Sequence, residues 1–369
     1  MAKNDKMLLT NLKEILRTEV KLTGERENVR ILETNLPLLI KQMELVSPLF
    51  KAVYQRIYYT GSYYDGLRVK NATEFDLNLV LAFPKNMDLE IRTTNSPPSF
   101  CTCKLKNKES LRKQQNFEFI GKLLREFFDE RTDFFLPDKI RRWLQGVFDS
   151  ALLSFEPSGD VKEIRKSSSG PALTIYIKTT TGTQLDVDLV PVLEFKYPAW
   201  PDGARKSFKT SIPDDQKYWF IVPKPPQANS CKSCQNYSYQ WRFHFPGVER
   251  HLLHNKGCVK PIIKLLKLLR DKQDWRILAS YYLKTVVMHA VIKPTDQIDW
   301  NESKMDKTFI RMLKHLQAYV QNKCLPYLFY EKCNLISKMG NQQAENIDRR
   351  LSRIIQDIEN DPQKVFVYM

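Results

Sequence analysis

Long apolar runs are missing from this 369-residue chain. None approaches the roughly 20 residues that a membrane-spanning helix needs. The opening stretch, MAKNDKMLLTNLKEI, lacks the apolar core and cleavage site of a secretory signal. Cysteine is scarce and odd in number, seven in all, which argues against a disulfide framework. These absences predict a reducing compartment, the cytosol, with the nucleus left open. Internal repeats and low-complexity tracts are also absent, which excludes solenoids and arrays. Acidic residues are in deficit, 42 against 58 Lys and Arg, for a formal net charge of +16 and a pI near 9.4. That balance predicts a polyanionic partner: nucleic acid, nucleotide or an anionic membrane surface.

The most informative run is GSYYDGLRVKNATEFDLNLVLAF, residues 61–83. Residues two apart on a strand share a face, so Glu74, Asp76 and Asn78 face one way and Phe75, Leu77 and Leu79 the other. The apolar set can bury while the carboxylates stay at an open edge. Paired carboxylates are what two Mg²⁺ ions need in phosphoryl transfer. Gly61 and Ser62 supply a closely approaching backbone and a hydroxyl for a triphosphate. A third carboxylate is offered by TQLDVDLVPVLEF at 183–195, where Asp186 and Asp188 share a face and spacing alone does not choose between them.

Periodicity predicts helices over 8–22 and 28–58, the second kinked near Pro37 and Pro48. A strand follows at 74–83, then a surface loop at 93–110 and helices at 115–130 and 138–155. Residues 158–170 read as a basic loop and 171–195 as paired strands; 196–236 show little periodicity, and the chain is helical from 246. The simplest architecture is a mixed α/β lobe followed by a helical lobe. In VKPIIKLLKLLRD, Ile262, Leu265, Leu266 and Leu269 form a core stripe, and Lys260, Lys264 and Lys267 fall on the other face, as a solvated surface or as phosphate contacts. Ser280-Tyr281-Tyr282-Leu283-Lys284 could stack a base through a tyrosine or simply pack in the core. Cys231-x-x-Cys234 lacks a well-spaced second ligand pair among His244, His251, His254 and Cys258, so no zinc is expected.

GSYYDGLRV…EFDLNLVL, GPALTIYI…VDLVPVLEF, YQWRFHF and ASYYLKT together resemble the Mab-21 nucleotidyltransferases, and more narrowly cyclic GMP-AMP synthase and its receptor-like relatives. The resemblance runs from about residue 28 to the end. It implies an α+β, bilobed nucleotidyltransferase fold, with a mixed sheet and long spine helix in the N-lobe and a helical C-lobe. The expected division is 1–27 (an N-terminal helix), 28–215 (the nucleotidyltransferase core) and 216–369 (the helical Mab-21 lobe). It further implies that Glu74, Asp76 and Asp188 hold two Mg²⁺ or Mn²⁺ ions, with Asp186 a non-ligand neighbour. Gly61, Ser62, Arg242, Lys264, Lys267, Ser280, Tyr281 and Lys284 would bind nucleotide, with Tyr281 the stacking ring. His244 departs from the family's usual serine. The zinc thumb of the mammalian DNA sensor has no counterpart in HLLHNKGCVKP. The resemblance implies ATP and GTP as substrates and a cyclic dinucleotide product in innate immune signalling, and the missing thumb implies double-stranded RNA as activator. Lys162, Arg165 and Lys166, with the N-terminal helices, are the expected duplex contacts, and a dimer on the duplex is one state the family allows. The alternatives are a DNA-activated or constitutive synthase, an RNA-extending polymerase and a non-catalytic scaffold.

Overall fold

The computed structural model describes residues 2–20, 24–70, 72–94, 99–113, 117–167, 173–224, 237–293 and 297–369. It divides into two compact units: 24–64 with 72–247, and 1–23 with 65–71 and 248–369.

The first unit is built on a mixed sheet of nine strands among the described residues. They are β1 (Tyr54–Thr60), β2 (Glu74–Leu81), β3 (Leu89–Thr93), β4 (Phe100–Leu105), β5 (Val161–Lys166), β6 (Leu173–Thr179), β7 (Gln184–Lys196), β8 (Tyr218–Val222) and β9 (Gln240–His244). The main path is β1-β2-β7-β8-β9-β4-β3, with β6 paired to β7 and β5 to β6. β2 and β7 run parallel; the other pairings are antiparallel. On one face Phe75, Leu77, Leu79, Leu185, Val187 and Leu189 join a core with Ile31, Leu32, Leu36 and Leu39 of the spine helix α2 (Glu25–Val46) and with Leu144 and Phe148 of α3 (Pro137–Leu152). Full burial of each such side chain stabilises by about 1.5–3 kcal/mol, which locks the strand register.

Local sequence was overruled in several places. The predicted helix over 28–58 runs through Pro37 but ends at Val46; Ser47 then caps a short helix, Pro48–Val53, through its hydroxyl and Phe50 N (3.1 Å). Tyr54–Thr60 is strand and not helix: pairing with β2, together with the strand preference of its Tyr, Ile and Thr residues, outweighs the helical periodicity read there. The predicted loop at 93–110 contains β4, whose Cys101, Cys103 and Leu105 alternate into the core. The predicted basic loop at 158–170 contains the edge strand β5. The boundary expected at 215/216 cuts through the sheet. β8 and β9 belong to the first unit, which extends to Gly247, because YWFIV and QWRFH pair with each other and with β7 and β4.

The second unit is helical: α1 (Ala2–Thr18), α4 (Pro246–Leu253, its last residues), α5 (Val259–Lys272), α6 (Ser280–Ile292), α7 (Met305–Gln321) and α8 (Asn341–Asn360) are its longer members. The N-terminal helix is not a separate domain. Leu8, Leu12 and Ile15 recur at helical spacing and are buried, and Asn11 Nδ2 donates to Pro362 O at 3.0 Å. No helix among the described residues is long and apolar enough to cross a membrane.

Candidate active site

In the parallel β2–β7 pair, Glu74 lies opposite Asp186 and Asp76 opposite Asp188. Partners in register share a face, and adjacent strands are about 4.8 Å apart. Four carboxylates therefore crowd one face while their neighbours in sequence fill the core on the other. Glu74 and Asp76 are exposed; Asp186 and Asp188 are half-buried. Thr174 Oγ1 donates to Asp188 Oδ1 at 2.5 Å and Gln184 Nε2 to Asp186 Oδ1 at 2.7 Å, so each aspartate is oriented by a different neighbour.

Antiparallel pairing of β1 with β2 sets Thr60 beside Asp76, and the chain turns at Gly61. Gly61 has φ +80°, and a Cβ there would stand 2.7 Å from Asp76 Cγ and collide with the carboxylate. Only glycine permits both the backbone angle and this approach. Ser62 follows in the short helix Gly61–Tyr64, which is seated by Tyr63: its ring lies 5.2 Å from Phe75 and its hydroxyl donates to Glu25 at 2.9 Å. Replacing Gly61 by Ala should displace Asp76 and cut turnover about 10²-fold, the cost of misplacing a reacting group by about 1 Å. Steady-state rates check this; wild-type turnover in the alanine variant would show that the close approach is dispensable.

Arg242 on β9 pairs with Val222 of β8, and His244 with Phe220, which itself pairs with Glu194 of β7. Glu194 has the parity of Asp186 and Asp188, so Arg242 and His244 lie on the carboxylate face. The sequence reading missed Lys224, just beyond β8. Surrounding protein and the Arg242 guanidinium push its pKa below the usual lysine value, while Asp188 and Asp76 oppose them. The apolar run YWFIV ahead of it was the available signal.

In the helical unit, Lys264 and Lys267 lie on α5 and Ser280, Tyr281 and Lys284 on α6. Two of the expected nucleotide contacts are engaged by other groups of the protein. Lys267 is buried and donates to Leu67 O at 2.8 Å; burial first, then Arg68 and Arg270, press its pKa down to about 8. Segment 65–70 lies over α5, which is why its polar face is only partly solvated: Gly66 packs near the Lys260 ammonium. Lys284 is buried between Asp65 and Glu249, at 2.7 Å from each. Neither ammonium is presented as an open phosphate contact. Lys264 is half-buried, Ser280 Oγ accepts from Arg270 (2.9 Å), and Tyr281 donates its hydroxyl to Glu249 (2.8 Å).

The duplex-contact set also divides. Arg165 pairs with Tyr176 and stacks over its ring at 5.6 Å. Tyr176 pairs with Asp186, which puts Arg165 on the carboxylate face. Lys166 pairs with core Ile175, points to the opposite face and meets Asp149 of α3 at 2.5 Å. Lys162 is exposed. The spine helix is not basic: Glu25, Glu27, Glu33 and Glu44 outnumber Arg26, Arg30 and Lys41. Cys231 and Cys234 lie outside the described residues. Cys258 is buried, and burial pushes its thiol up to about 11.

An acidic strand pair in register beside a glycine-serine turn defines a nucleotidyltransferase, and the comparisons agree. Residues 63–255 match the Mab-21 protein nucleotidyltransferase domain and residues 258–353 the Mab-21 protein HhH/H2TH-like domain; the chain belongs to the Mab-21 nucleotidyltransferase family. Its similar relatives narrow this further. It is 33% identical to a cyclic GMP-AMP synthase-like receptor of Aethina tumida over 351 residues, covering 92% of this chain and 85% of the relative. The figures for the receptor of the same name from Tribolium castaneum are 32% over 354 residues, 92% and 85%. For the one from Ctenocephalides felis they are 29% over 354 residues, 90% and 79%.

Among the described residues, no three His, Cys, Asp or Glu side chains converge as a ready metal cage. The donor chemistry nevertheless fits the divalent ions that nucleotidyltransferases use. Carboxylates on one strand face are hard oxygen ligands of the kind Mg²⁺ and Mn²⁺ take.

Proposed function

We propose that this chain is a cytosolic sensor that joins ATP and GTP into a cyclic dinucleotide of the cyclic GMP-AMP type, switched on by double-stranded RNA. The observation that carries the reading is the register that sets Asp76 beside Asp188 and Glu74 beside Asp186. The printed name of its relatives, cyclic GMP-AMP synthase-like receptor, supports the product class.

Glu74, Asp76 and Asp188 would hold two divalent ions. When bound, such ions polarise the α-phosphate, acidify the attacking hydroxyl and stabilise the departing pyrophosphate. The rest falls to the chain's own groups. Gly61 and Ser62 seat the triphosphate through backbone N–H and hydroxyl. Thr174 occupies Asp188 Oδ1, which leaves Oδ2 to accept the proton of the attacking ribose hydroxyl. Lys224 and Arg242 place positive charge beside these carboxylates, where negative charge grows on the phosphate oxygens. Each transfer forms one ribose oxygen–phosphorus bond and releases one pyrophosphate. Two transfers in succession close the ring. Tyr281 stacks a base.

Duplex binding rests on the +16 charge and is largely independent of sequence. Discrimination rests on A-form shape and the 2′-hydroxyl. Of the contacts expected on β5, Lys162 and Arg165 suit this role better than the ion-paired Lys166. The test is cyclic dinucleotide output without duplex and with RNA or DNA duplexes of matched length at fixed ionic strength. Output should rise far more with RNA and weaken steeply with salt. Equal output with DNA, or full output without duplex, overturns the RNA-sensor reading. No product under any condition overturns the synthase reading.

A further inference from the structure

Four charges close on one another inside the helical unit. The Lys284 ammonium lies 2.7 Å from Asp65 Oδ2 and 2.7 Å from Glu249 Oε2. Arg250 Nε stands 3.6 Å from the other Asp65 oxygen. Side-chain exposure is 9% for Lys284, 11% for Asp65 and 5% for Glu249, so water does little to screen the group. Two cations and two carboxylates leave it neutral. One lone pair of Glu249 points outward from this cluster: Oε1 accepts the hydroxyl of Tyr281 at 2.8 Å. The tyrosine ring is half-buried and lies 6.1 Å from the Tyr327 ring, tilted by 49°.

A buried, charge-locked acceptor is a rigid point. A carboxylate that already holds an ammonium cannot swing without leaving a buried charge unpaired. A hydroxyl bonded to it has its ring orientation set before any ligand arrives. Stacking on such a ring costs less conformational freedom than stacking on a mobile one.

We infer that Glu249 is a positioning residue for nucleotide binding: fixed by Lys284 and Asp65, it holds Tyr281 in its stacking orientation through the phenolic hydroxyl. This rests on the reading of Tyr281 as the base-stacking ring and assigns new roles to Glu249, Lys284 and Asp65. It also replaces the expected role of Lys284: the lysine serves the nucleotide through Glu249 and not by touching phosphate.

The experiment compares Tyr281→Phe, Tyr281→Ala and Glu249→Gln, with thermal stability recorded for each. The readout is equilibrium binding of non-hydrolysable ATP and GTP analogues to the full chain. Tyr281→Phe keeps the ring and loses only the anchor; it should weaken binding of one of the two analogues about fivefold, the order expected when a preorganised ring regains its freedom. Tyr281→Ala should weaken the same analogue further. Glu249→Gln keeps an acceptor oxygen but loses the charge lock; combined with Tyr281→Phe it should weaken binding by less than the product of the two single effects, because both act through one contact. Affinity lost in Tyr281→Ala but unchanged in Tyr281→Phe would overturn the positioning role and leave base stacking standing. Affinity unchanged in Tyr281→Ala would overturn the stacking reading itself. A Tyr281→Phe protein with a lowered melting temperature and wild-type affinity would show the network to be structural only.

Discussion

Asp188→Asn should lower the rate of nucleotidyl transfer by about 10³-fold while leaving the protein folded. The exchange removes a negative charge from the carboxylate face and, in the proposed mechanism, the Oδ2 atom that would take the hydroxyl proton. Metal-assisted charge stabilisation is worth several kcal/mol in the transition state, and each 1.36 kcal/mol is a factor of ten. The fold should tolerate the change for two reasons. Asn Oδ1 can still accept from Thr174, as Asp188 does at 2.5 Å. Asp188 also faces Asp76 across the strand pair, with Glu74 and Asp186 beside them, so neutralising one of four adjacent carboxylates relieves repulsion. Initial rates with Mg²⁺ and with Mn²⁺, alongside a melting curve, check both halves. Wild-type rates in the variant would remove Asp188 from the chemistry. The same substitution at Asp186 distinguishes the two aspartates that spacing left equivalent, and a much smaller loss is expected there.

Lys284→Met should act on stability, by about 3–5 kcal/mol, the cost of leaving a buried partner charge uncompensated. The lysine is the only cation within 3 Å of Glu249 among the described ion pairs, and it also holds Asp65. Burial by itself pushes the Lys284 pKa down, but Glu249 and Asp65 outweigh it and the net shift is upward from the ordinary 10.5. A raised lysine pKa means that its stabilisation is fully present below 10.5 and fades only as pH climbs through the higher folded value. In the wild type this group therefore adds no pH dependence between 5 and 8. The variant's deficit should therefore be evident at neutral pH. Denaturant unfolding at pH 7 measures this. A deficit under 1 kcal/mol at pH 7 would show that the cluster is not the tight charge lock its geometry describes. Adding Glu249→Gln and Asp65→Asn should recover much of the loss, because no buried charge is then left without a partner.

Both outcomes depend on how far local pattern determines three-dimensional placement in this chain. Period-two alternation over EFDLNLVL and QLDVDLV is a property of the sequence, and it was enough to put Glu74 with Asp76 and Asp186 with Asp188 on open strand faces. Strand side chains alternate whatever the tertiary fold. The shared faces of the acidic residues, the glycine-serine turn, the spine helix and the helical C-terminal half were legible for the same reason: each signal is carried within one short segment. Tertiary structure decided the rest. Parallel pairing alone brought Asp188 opposite Asp76, and the return of β1 alone pressed Gly61 against that carboxylate. Lys224 reached the site because β8 joined the sheet between β7 and β9, a placement that the apolar run YWFIV does not specify by itself. Arg165 and Lys166, neighbours in what read as one basic loop, went to opposite faces once that segment became an edge strand. Lys267 followed the spacing of a basic helix face and Lys284 lay in an expected nucleotide-contact segment, yet both were buried when segment 65–70 and Glu249 closed over them. Sequence periodicity reports which side of its own element a residue occupies. Whether that side meets water, a core or a counter-charge is set by partners far along the chain, and in this protein that difference separates a phosphate contact from a buried ion pair.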